Sequence, residues 1–248
     1  MYSQANIEAL YALMGSEKPH VFESTNYFDY IKTHDCIWPN HLFNLQAKEN
    51  TIESVLTHIE TQVEAGSIPP WLLCNPVKDN PKVIAQILKR GYKKSVWTAM
   101  SYNFSSEFPN IKIKLLKLKV VTNQKDFDAW MKIVEEELMG GKALNKSLFQ
   151  FLLRFQQCYF YLGTLDGKPA ATSLLFHHEN SAGIYLVATT TEYRKKGIGR
   201  AMTVACLKKA NTLHCKQAHL QATDLGKPIY KALGFTDHGS IFVFNLAT

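Results

Sequence analysis

Glycines and cations are combined in the stretch Arg194 to Gly199, which reads Arg-Lys-Lys-Gly-Ile-Gly and is followed by Arg200. A glycine turn that leads into a helix presents backbone N–H groups without partners, with the positive end of the helix dipole behind them. Gly197 and Gly199 would let the backbone approach an anion without an intervening Cβ, and the cations add charge of the right sign. Arg200, in the first helical turn, opposes the dipole unless an anion binds there. The stretch therefore predicts a phosphate-binding turn.

Regular elements must hold this turn in place. The apolar run Gly183 to Thr189 predicts a strand before the turn, and Arg200 to Ala210 predicts a helix after it. Further along the chain, the pattern predicts a strand at Ala218 to Ala222, a short helix at Asp224 to Leu233 closed by Gly234, and closing strands at Phe235 and at Ile241 to Asn245.

The residues before the turn predict strands and two helices. Asp166-Gly167 favours a tight hairpin between the apolar runs Cys158 to Leu165 and Pro169 to His177. After the polar stretch Ser105 to Asn110, the sequence predicts a strand at Ile111 to Val121. A helix capped by Asn123 follows and ends at Gly140-Gly141, with one apolar face made of Phe127, Trp130, Val134 and Leu138. A second helix has the apolar residues Leu148, Leu152 and Phe155. This order of elements indicates a mixed α/β layer.

Two blocks of sequence together resemble the GNAT superfamily of acyl-CoA-dependent N-acetyltransferases. The block Tyr193 to Ala201 matches the R-x-x-G-x-G/A motif of that superfamily, and Leu220 to Thr223 followed by Ile229 to Phe235 resembles its strand, helix and Y-x-x-x-G-F block. The motif gains specificity because it follows a predicted strand, precedes a helix and has Tyr230 and Gly234-Phe235 downstream. The resemblance spans Lys112 to Leu246 and implies a GNAT fold, with a mixed central sheet flanked by helices.

The resemblance also implies roles for individual residues. The strand before the turn would separate from its neighbour, its backbone would hold the pantetheine arm and the acetyl carbonyl, and the N–H groups of the turn would hold the pyrophosphate. Tyr230 would donate a proton to the departing CoA thiolate. Thr223 stands where many relatives have an asparagine. No metal is implied, and the acetyl-CoA-binding set is Val187, Ala188, Thr189, Arg194, Lys195, Lys196, Gly197, Ile198, Gly199, Arg200 and Thr223.

Each of these assignments has an ordinary structural alternative. The two glycines could form only a tight turn, the cations could be a solvated face, and Tyr230 could be a packed core residue. The general base also stays open, because no Asp or Glu lies in Gly183 to Thr189, where some relatives carry a carboxylate. Other candidates are Glu192, His177, His178 and Glu135 to Glu137, of which the acidic trio is interpreted as the outer face of a helix.

The N-terminal part predicts a second, smaller α/β lobe. Both halves close with strand, helix, glycine, aromatic residue and strand, which indicates a weak internal repeat. Ile87 stands where the second half has Tyr230, and the first half has no R-x-x-G-x-G motif, so this lobe would be degenerate. Residues 1–108 are predicted to shape the acceptor cleft or to act structurally, and residues 109–248 to form the GNAT domain. The elements predicted for the lobe are a helix at Thr51 to Ala65, a strand at Trp71 to Cys74, a helix from Asn80-Pro81 to Gly91 and a strand at Ser95 to Phe104.

Composition narrows the classes of protein. The 248 residues carry a net charge of +7 that is spread along the chain, without the basic stripe typical of a nucleic-acid binder. Five cysteines without C-x-x-C spacing predict reduced, packed thiols of a cytoplasmic protein. No segment has the length and apolarity of a membrane span or a signal peptide. No nucleic-acid or membrane partner is expected, and the oligomeric state stays open.

The predicted activity is direct transfer of an acetyl group from acetyl-CoA to a primary amine. The identity of the amine stays open, and small amines, amino acids, peptide N-termini and protein lysines all fit. Two alternatives are a non-catalytic module that senses acyl-CoA or binds a partner, and an acyltransferase that uses a longer acyl-CoA.

Overall fold

A computed structural model describes residues 4–76, 79–104, 108–109 and 111–247 of the chain. The chain divides into two units, one formed by Met1–Leu10 and Met100–Asp237 and the other by Tyr11–Ala99 and His238–Thr248. Residues 105–107 and 110 of the polar stretch lie outside the described residues. The division at 108/109 and the roles given to domains 1–108 and 109–248 stay predictions.

Helices and strands follow one another in both units. The helices are α1 Ala5–Gly15, α2 Ile52–Glu64, α3 Pro81–Lys89, α4 Gln124–Leu138, α5 Lys146–Leu152, α6 Ile198–Thr212 and α7 Lys227–Ala232. The strands are β1 Val21–Ser24, β2 Asp29–Lys32, β3 His41–Phe43, β4 Trp71–Cys74, β5 Lys93–Asn103, β6 Leu116–Val120, β7 Cys158–Leu165, β8 Lys168–His178, β9 Ser181–Thr189, β10 Gln217–Ala222 and β11 Thr236–Asn245.

The unit that contains the glycine turn is built on strands in the order β10-β9-β8-β7-β6. β10 pairs with β9 in parallel, and the pairs β9/β8, β8/β7 and β7/β6 are antiparallel. Both α4 and α6 pack on β8 and β9. The predicted mixed α/β layer, with helices flanking a mixed sheet, is confirmed.

Local signals explain most elements of this unit. Asn123 Oδ1 accepts a hydrogen bond from the Asp126 N–H at 3.0 Å, so the predicted cap of α4 is confirmed. Trp130 and the other predicted face residues Phe127 and Val134 are buried. Asp166 and Gly167 have φ of 50° and 76°, the two positive values that a type I′ hairpin requires.

Four differences from the predictions stand out, three in the bounds of elements and one in the exposure of a side chain. The strand predicted at 111–121 begins only at Leu116, because Leu115 has a φ of 64° and the Leu116 N–H donates to the Ile113 carbonyl at 3.1 Å. Leu138 is 43% exposed, at the end of α4 just before the glycines. α5 ends at Leu152, since a series of turn hydrogen bonds follows it, and so it stops short of Phe155. The closing strands are one continuous strand, β11.

The other unit has its own core and its own strand order, β1-β2-β3-β4-β11. The Asn80 side chain accepts from the Lys82 N–H at 3.0 Å, which starts α3, and Gly91, with a φ of 75°, follows its end. Ile87 is buried, whereas the next residue, Leu88, is 44% exposed. The core cluster includes four buried residues of α2, namely Ile52, Val55, Leu56 and Ile59, and Val63 packs against it. The sequence predictions contained none of α1, β1, β2 and β3.

The cysteines match their prediction. All five are free thiols in the structure, and four of them are buried: Cys74, Cys158, Cys206 and Cys215.

Candidate functional site

The glycine turn connects β9 to α6 through a short 3-10 turn at Thr191–Tyr193. Lys195 and Gly197 have φ of 62° and 76°, and Gly197 is the N-cap of α6. Two left-handed residues so close together reverse the chain sharply, and glycine adopts this region at no steric cost. Gly199 faces the end of β9, because a Cβ at this position would lie 3.5 Å from Thr189 Oγ1.

The turn contains a row of backbone donors. Within the described part of the chain, the N–H groups of residues 195–200 have no hydrogen-bond acceptor, and α6 has no side-chain cap and no acidic residue in its first turn. The first bonded amide is that of Ala201, which donates to the Gly197 carbonyl at 3.1 Å. These are the orphan donors of a helix N-terminus, and an anion satisfies them.

The four predicted cations of the turn have different surroundings. Lys195 and Lys196 are exposed, and Lys196 Nζ lies 5.0 Å from the Tyr193 ring centroid. Arg200 is half-buried, and its Nε is buried without a hydrogen-bond partner among the described residues. Arg194 instead pairs with the Glu137 carboxylate, at 2.5 Å, and its Nε donates to the Thr189 carbonyl at 3.3 Å. Lys195, Lys196 and Arg200 therefore have no carboxylate partner in the described chain.

β9 and β10 separate in front of the turn. Their parallel ladder consists of the pairs Gln217↔Ser181, Ala218↔Ala182 and His219↔Gly183 among the described residues, although both strands continue beyond it. On its other side, β9 has a bulge where it pairs with β8, with a φ of 50° at Leu186. The Thr172 hydroxyl donates to the Leu186 carbonyl at 3.0 Å and holds the bulge. The opening leaves the edge of β9 from 184 to 189, which includes Val187, Ala188 and Thr189, unpaired with β10.

Tyr230 lies on α7, which starts after the end of β10. Its ring packs edge-on against Phe235, with centroids 5.7 Å apart, and it joins the apolar cluster that contains Val187 and Ile198. Burial raises the pKa of the Tyr230 phenol well above its ordinary value, and the nearby Cys206 thiol raises it further. The phenol therefore stays protonated at neutral pH. Its hydroxyl has no hydrogen bond within the described chain.

Gly226 is a site residue that the sequence predictions missed. It precedes α7, and a Cβ on it would lie only 2.9 Å from Cε2 of Tyr230. The glycine thus lets the phenol ring lie against the backbone. The spacing of four residues between Gly226 and Tyr230 is the signal that could have found it, since such residues face each other on a helix.

Thr223 follows the last residue of β10 and begins the turn that leads into α7. Its side chain is exposed, and its Oγ1 accepts from the Gly226 N–H at 3.3 Å, while its carbonyl accepts from Lys227 N–H at 2.9 Å. Thr223 therefore shapes the approach to α7. Its predicted part in acetyl-CoA binding stays a prediction.

The acidic trio is not simply an outer helix face. The Glu137 side chain is only 12% exposed and accepts from the Thr191 N–H at 2.8 Å as well as from Arg194. Glu135 accepts from the Leu144 N–H at 2.9 Å, so only Glu136 is exposed. The interpretation of all three as outer-face residues was wrong, because Glu135 ties α4 to the loop after it and Glu137 ties α4 to the turn after β9.

The remaining base candidates lie apart from the opening. His177 and His178 pair with Ala182 and Ser181, at the end of β9 opposite to the glycine turn. Glu192 is exposed in the 3-10 turn. Among the residues that the structure describes, no contact directs any of these side chains to the edge of β9 at 184–189, so their part in proton transfer stays a prediction.

Among the described residues, no group of three or more His, Cys, Asp or Glu side chains could hold a metal ion. No helix in the described ranges has the length and apolarity needed to cross a membrane.

Solved structures share this fold over most of the chain. A GCN5-related N-acetyltransferase from Kribbella flavida superposes with a TM-score of 0.72 at 16% identity, covering 99% of this chain and 96% of that one. A GCN5-related N-acetyltransferase from Sphaerobacter thermophilus gives a TM-score of 0.67 at 12% identity, covering 88% and 76%. A GCN5-related glucosamine N-acetyltransferase region of a fungal multi-domain GH3 beta-N-acetylglucosaminidase gives 0.61 at 11%, covering 91% and 31%.

The sequence comparisons assign the C-terminal half to a family. No curated protein matches the chain. The family model for the acetyltransferase (GNAT) domain matches residues 126–247, a range that contains β9, the glycine turn, α6 and α7. Residues 126–247 of this chain therefore belong to the GNAT family, and the protein carries an acyltransferase domain of that family.

Proposed function

We propose that the protein transfers the acetyl group of acetyl-CoA directly to a primary amine. The observation that carries this proposal is the row of N–H groups at residues 195–200, without acceptors in the described chain and at the start of α6. Such a row suits a pyrophosphate, which is the anionic part of CoA nearest the pantetheine arm. Lys195, Lys196 and Arg200 would add charge to this site.

The opening between β9 and β10 would take the pantetheine arm. Val187, Ala188 and Thr189 lie on the part of β9 that has no β10 partner, so their backbone groups can pair with the amides of the arm. Backbone N–H groups on the same edge would polarise the acetyl carbonyl and stabilise the oxyanion that forms during attack. Thr223, exposed at the end of β10, would border the same opening.

Tyr230 would act as the general acid. As the C–S bond breaks, the sulfur gains negative charge and takes the phenolic proton. A phenol with a raised pKa holds that proton at neutral pH and can donate a hydrogen bond to the developing thiolate. The absence of a hydrogen bond to this hydroxyl in the described chain leaves it available for the ligand.

The amine acceptor is proposed by class only. One similar structure is described as a glucosamine N-acetyltransferase region, so glucosamine joins lysine, spermidine and a peptide with a free N-terminus as probes. Residues 1–108 are proposed to contribute to acceptor binding or to act structurally. We also propose a cytoplasmic location, because five free cysteines are typical of a protein in a reducing compartment.

The test is a thiol-release assay with acetyl-CoA and each of these four amines. We expect release of CoA that depends on one of the amines, with acetylated product detected by mass spectrometry. Calorimetry with CoA, acetyl-CoA and longer acyl-CoA thioesters separates the alternatives. Tight binding without release for any amine would favour a non-catalytic acyl-CoA sensor, and affinity that rises with chain length would favour a longer donor.

A further inference from the structure

The ladder between β9 and β10 ends on a histidine. His219 pairs with Gly183 in the last rung before the two strands separate, and it is only 3% exposed. Leu220–Ala222 of β10 continue beyond this rung without a β9 partner in the described chain. His219 therefore lies at the apex of the opening that would hold the thioester.

The two faces of the opening carry different groups. Ala218 and Leu220 belong to the apolar cluster packed with α6, as does the Tyr230 ring. Successive residues of a strand point to opposite faces, so His219 points to the face away from that cluster. Tyr230, which is proposed as the general acid for the sulfur, and His219 thus lie on opposite sides of the opening.

A hydroxyl and an amide complete the histidine's face. Tyr185 donates from its hydroxyl to Asn6 Oδ1 at 2.8 Å, and both side chains are buried. Asn6 is held in turn by donating from Nδ2 to the Ser181 Oγ at 3.1 Å. A Cβ on Gly183 would lie 2.2 Å from the Tyr185 hydroxyl, so this hydroxyl lies directly over Gly183, on the rung that it shares with His219.

The same contacts exclude a carboxylate at the end of this ladder on β9. Any side chain at residue 183 would overlap Asn6 Oδ1, which lies 2.1 Å from the ideal Cβ position. No Asp or Glu occurs elsewhere between 181 and 189. Of the side chains placed at this rung, the imidazole of His219 is the one with a basic nitrogen, because a phenol and an amide have none.

We propose that His219 is the general base that takes the proton from the acceptor amine. This inference rests on the proposed acetyl transfer. The ammonium form of the acceptor gives one proton to the His219 imidazole, directly or through one water, and the neutral nitrogen attacks the acetyl carbon. The C–S bond of the tetrahedral intermediate then breaks, and the sulfur takes the Tyr230 proton. The second nitrogen proton leaves through water and restores Tyr230, while His219 releases its proton to solvent.

The test compares His219→Gln and His219→Asn with the wild-type protein, using the panel amine that the wild type acetylates fastest. A positioned general base contributes about 10²- to 10⁴-fold, so we expect kcat to fall on the order of 10²-fold or more with CoA affinity unchanged. Added imidazole should restore part of the rate. An aromatic amine such as aniline is already neutral at pH 7. With aniline as the acceptor, the His219 variants should therefore lose much less of the wild-type rate. Circular dichroism and calorimetry with CoA establish that each variant is folded.

Two further variants make the result specific to His219. His214→Asn replaces an exposed histidine at a φ of 56°, which asparagine tolerates, and should keep the wild-type rate. Tyr185→Phe keeps the ring and removes only the hydroxyl. The assignment of His219 as the base would be overturned if the wild type and both folded His219 variants had equal rates. It would also be overturned if added imidazole rescued Tyr185→Phe and did not rescue the His219 variants. If the wild type itself releases no thiol with any amine, the proposed function fails, and the base with it.

Discussion

The Glu137 carboxylate lies 2.5 Å from the Arg194 guanidinium and so joins α4 to the glycine turn. It also accepts two hydrogen bonds from Thr191, from the N–H at 2.8 Å and from the hydroxyl at 2.9 Å. One nearly buried carboxylate thus fixes the start of the turn whose amides are proposed to hold the pyrophosphate. The arginine of the R-x-x-G-x-G motif serves this anchor.

Glu137→Gln should weaken CoA binding. The amide keeps the shape of the side chain but loses the charge that strengthens its hydrogen bonds, and the exposed Arg194 limits the effect. We expect the Kd for CoA to rise by about 3- to 10-fold, on the order of 1 kcal/mol, with kcat nearly unchanged. Calorimetry measures this. Glu136→Gln, at an exposed i,i+4 pair with Lys132, should bind like wild type. Equal Kd values for both variants would contradict the anchor.

Gly226→Ala should reduce turnover through Tyr230. The new methyl group would lie 2.9 Å from the phenol ring and force it to move. A displacement of the acid from the sulfur lowers kcat, and we expect about a 10-fold loss with small effect on KM. The double variant with Tyr230→Phe should be no slower than Tyr230→Phe alone. Additive losses in this cycle would show that Gly226 acts elsewhere.

Tyr230→Phe should lower turnover while CoA still binds. The substitution removes one hydroxyl from a ring whose packing against Phe235 is kept. Loss of general acid catalysis costs about 10²-fold or more in kcat, whereas CoA affinity should stay within about 2-fold of wild type. Steady-state thiol release and calorimetry give the two quantities. Unchanged kcat would remove Tyr230 from the mechanism and leave it as a packing residue.

His41 should make stability fall in mild acid. Burial lowers the pKa of its imidazole from 6.5 to about 4, so the unfolded chain binds a proton below pH 6.5 that the folded chain binds only near pH 4. The free energy of unfolding is therefore highest above pH 6.5. It falls by about 3 kcal/mol in all as the pH drops from 6.5 to about 4. Urea unfolding between pH 4 and 8 measures the free energy of unfolding against pH. This dependence should be flatter for His41→Gln than for the wild type. The exposed His58→Gln should keep the wild-type slope, and a similar slope for both variants would refute the assignment.

The turn itself could be predicted from sequence because its signals are local. A positive φ at Gly197, the cap at Asn123 and the hairpin at Asp166 each depend on a few neighbouring residues. The segment 111–115 looked like a strand because its apolar residues alternate, yet a turn at Leu115 delays β6. Alternation alone does not distinguish a strand from an extended loop.

The contacts that join distant segments could not be predicted. Glu137 and Arg194 are 57 residues apart, and Asn6 and Tyr185 are 179 apart, so no periodicity relates them. His219 interrupts an apolar strand, and no local pattern distinguishes it from a core residue. Its meaning depends on the register with Gly183 and on where that ladder ends. Register is a tertiary property, fixed by packing and not by local pattern.

The claim that the turn at 195–200 binds the pyrophosphate of CoA is tested most directly by calorimetric titration of Gly197→Glu with CoA. The wild type should bind CoA, and the variant should show no measurable binding, because the added carboxylate repels the phosphates and the φ of 76° disfavours any side chain. Gly91→Glu, at a φ of 75° in the other unit, carries the same charge and the same strain and should bind like wild type. Equal affinity of Gly197→Glu and wild type for CoA would contradict the account.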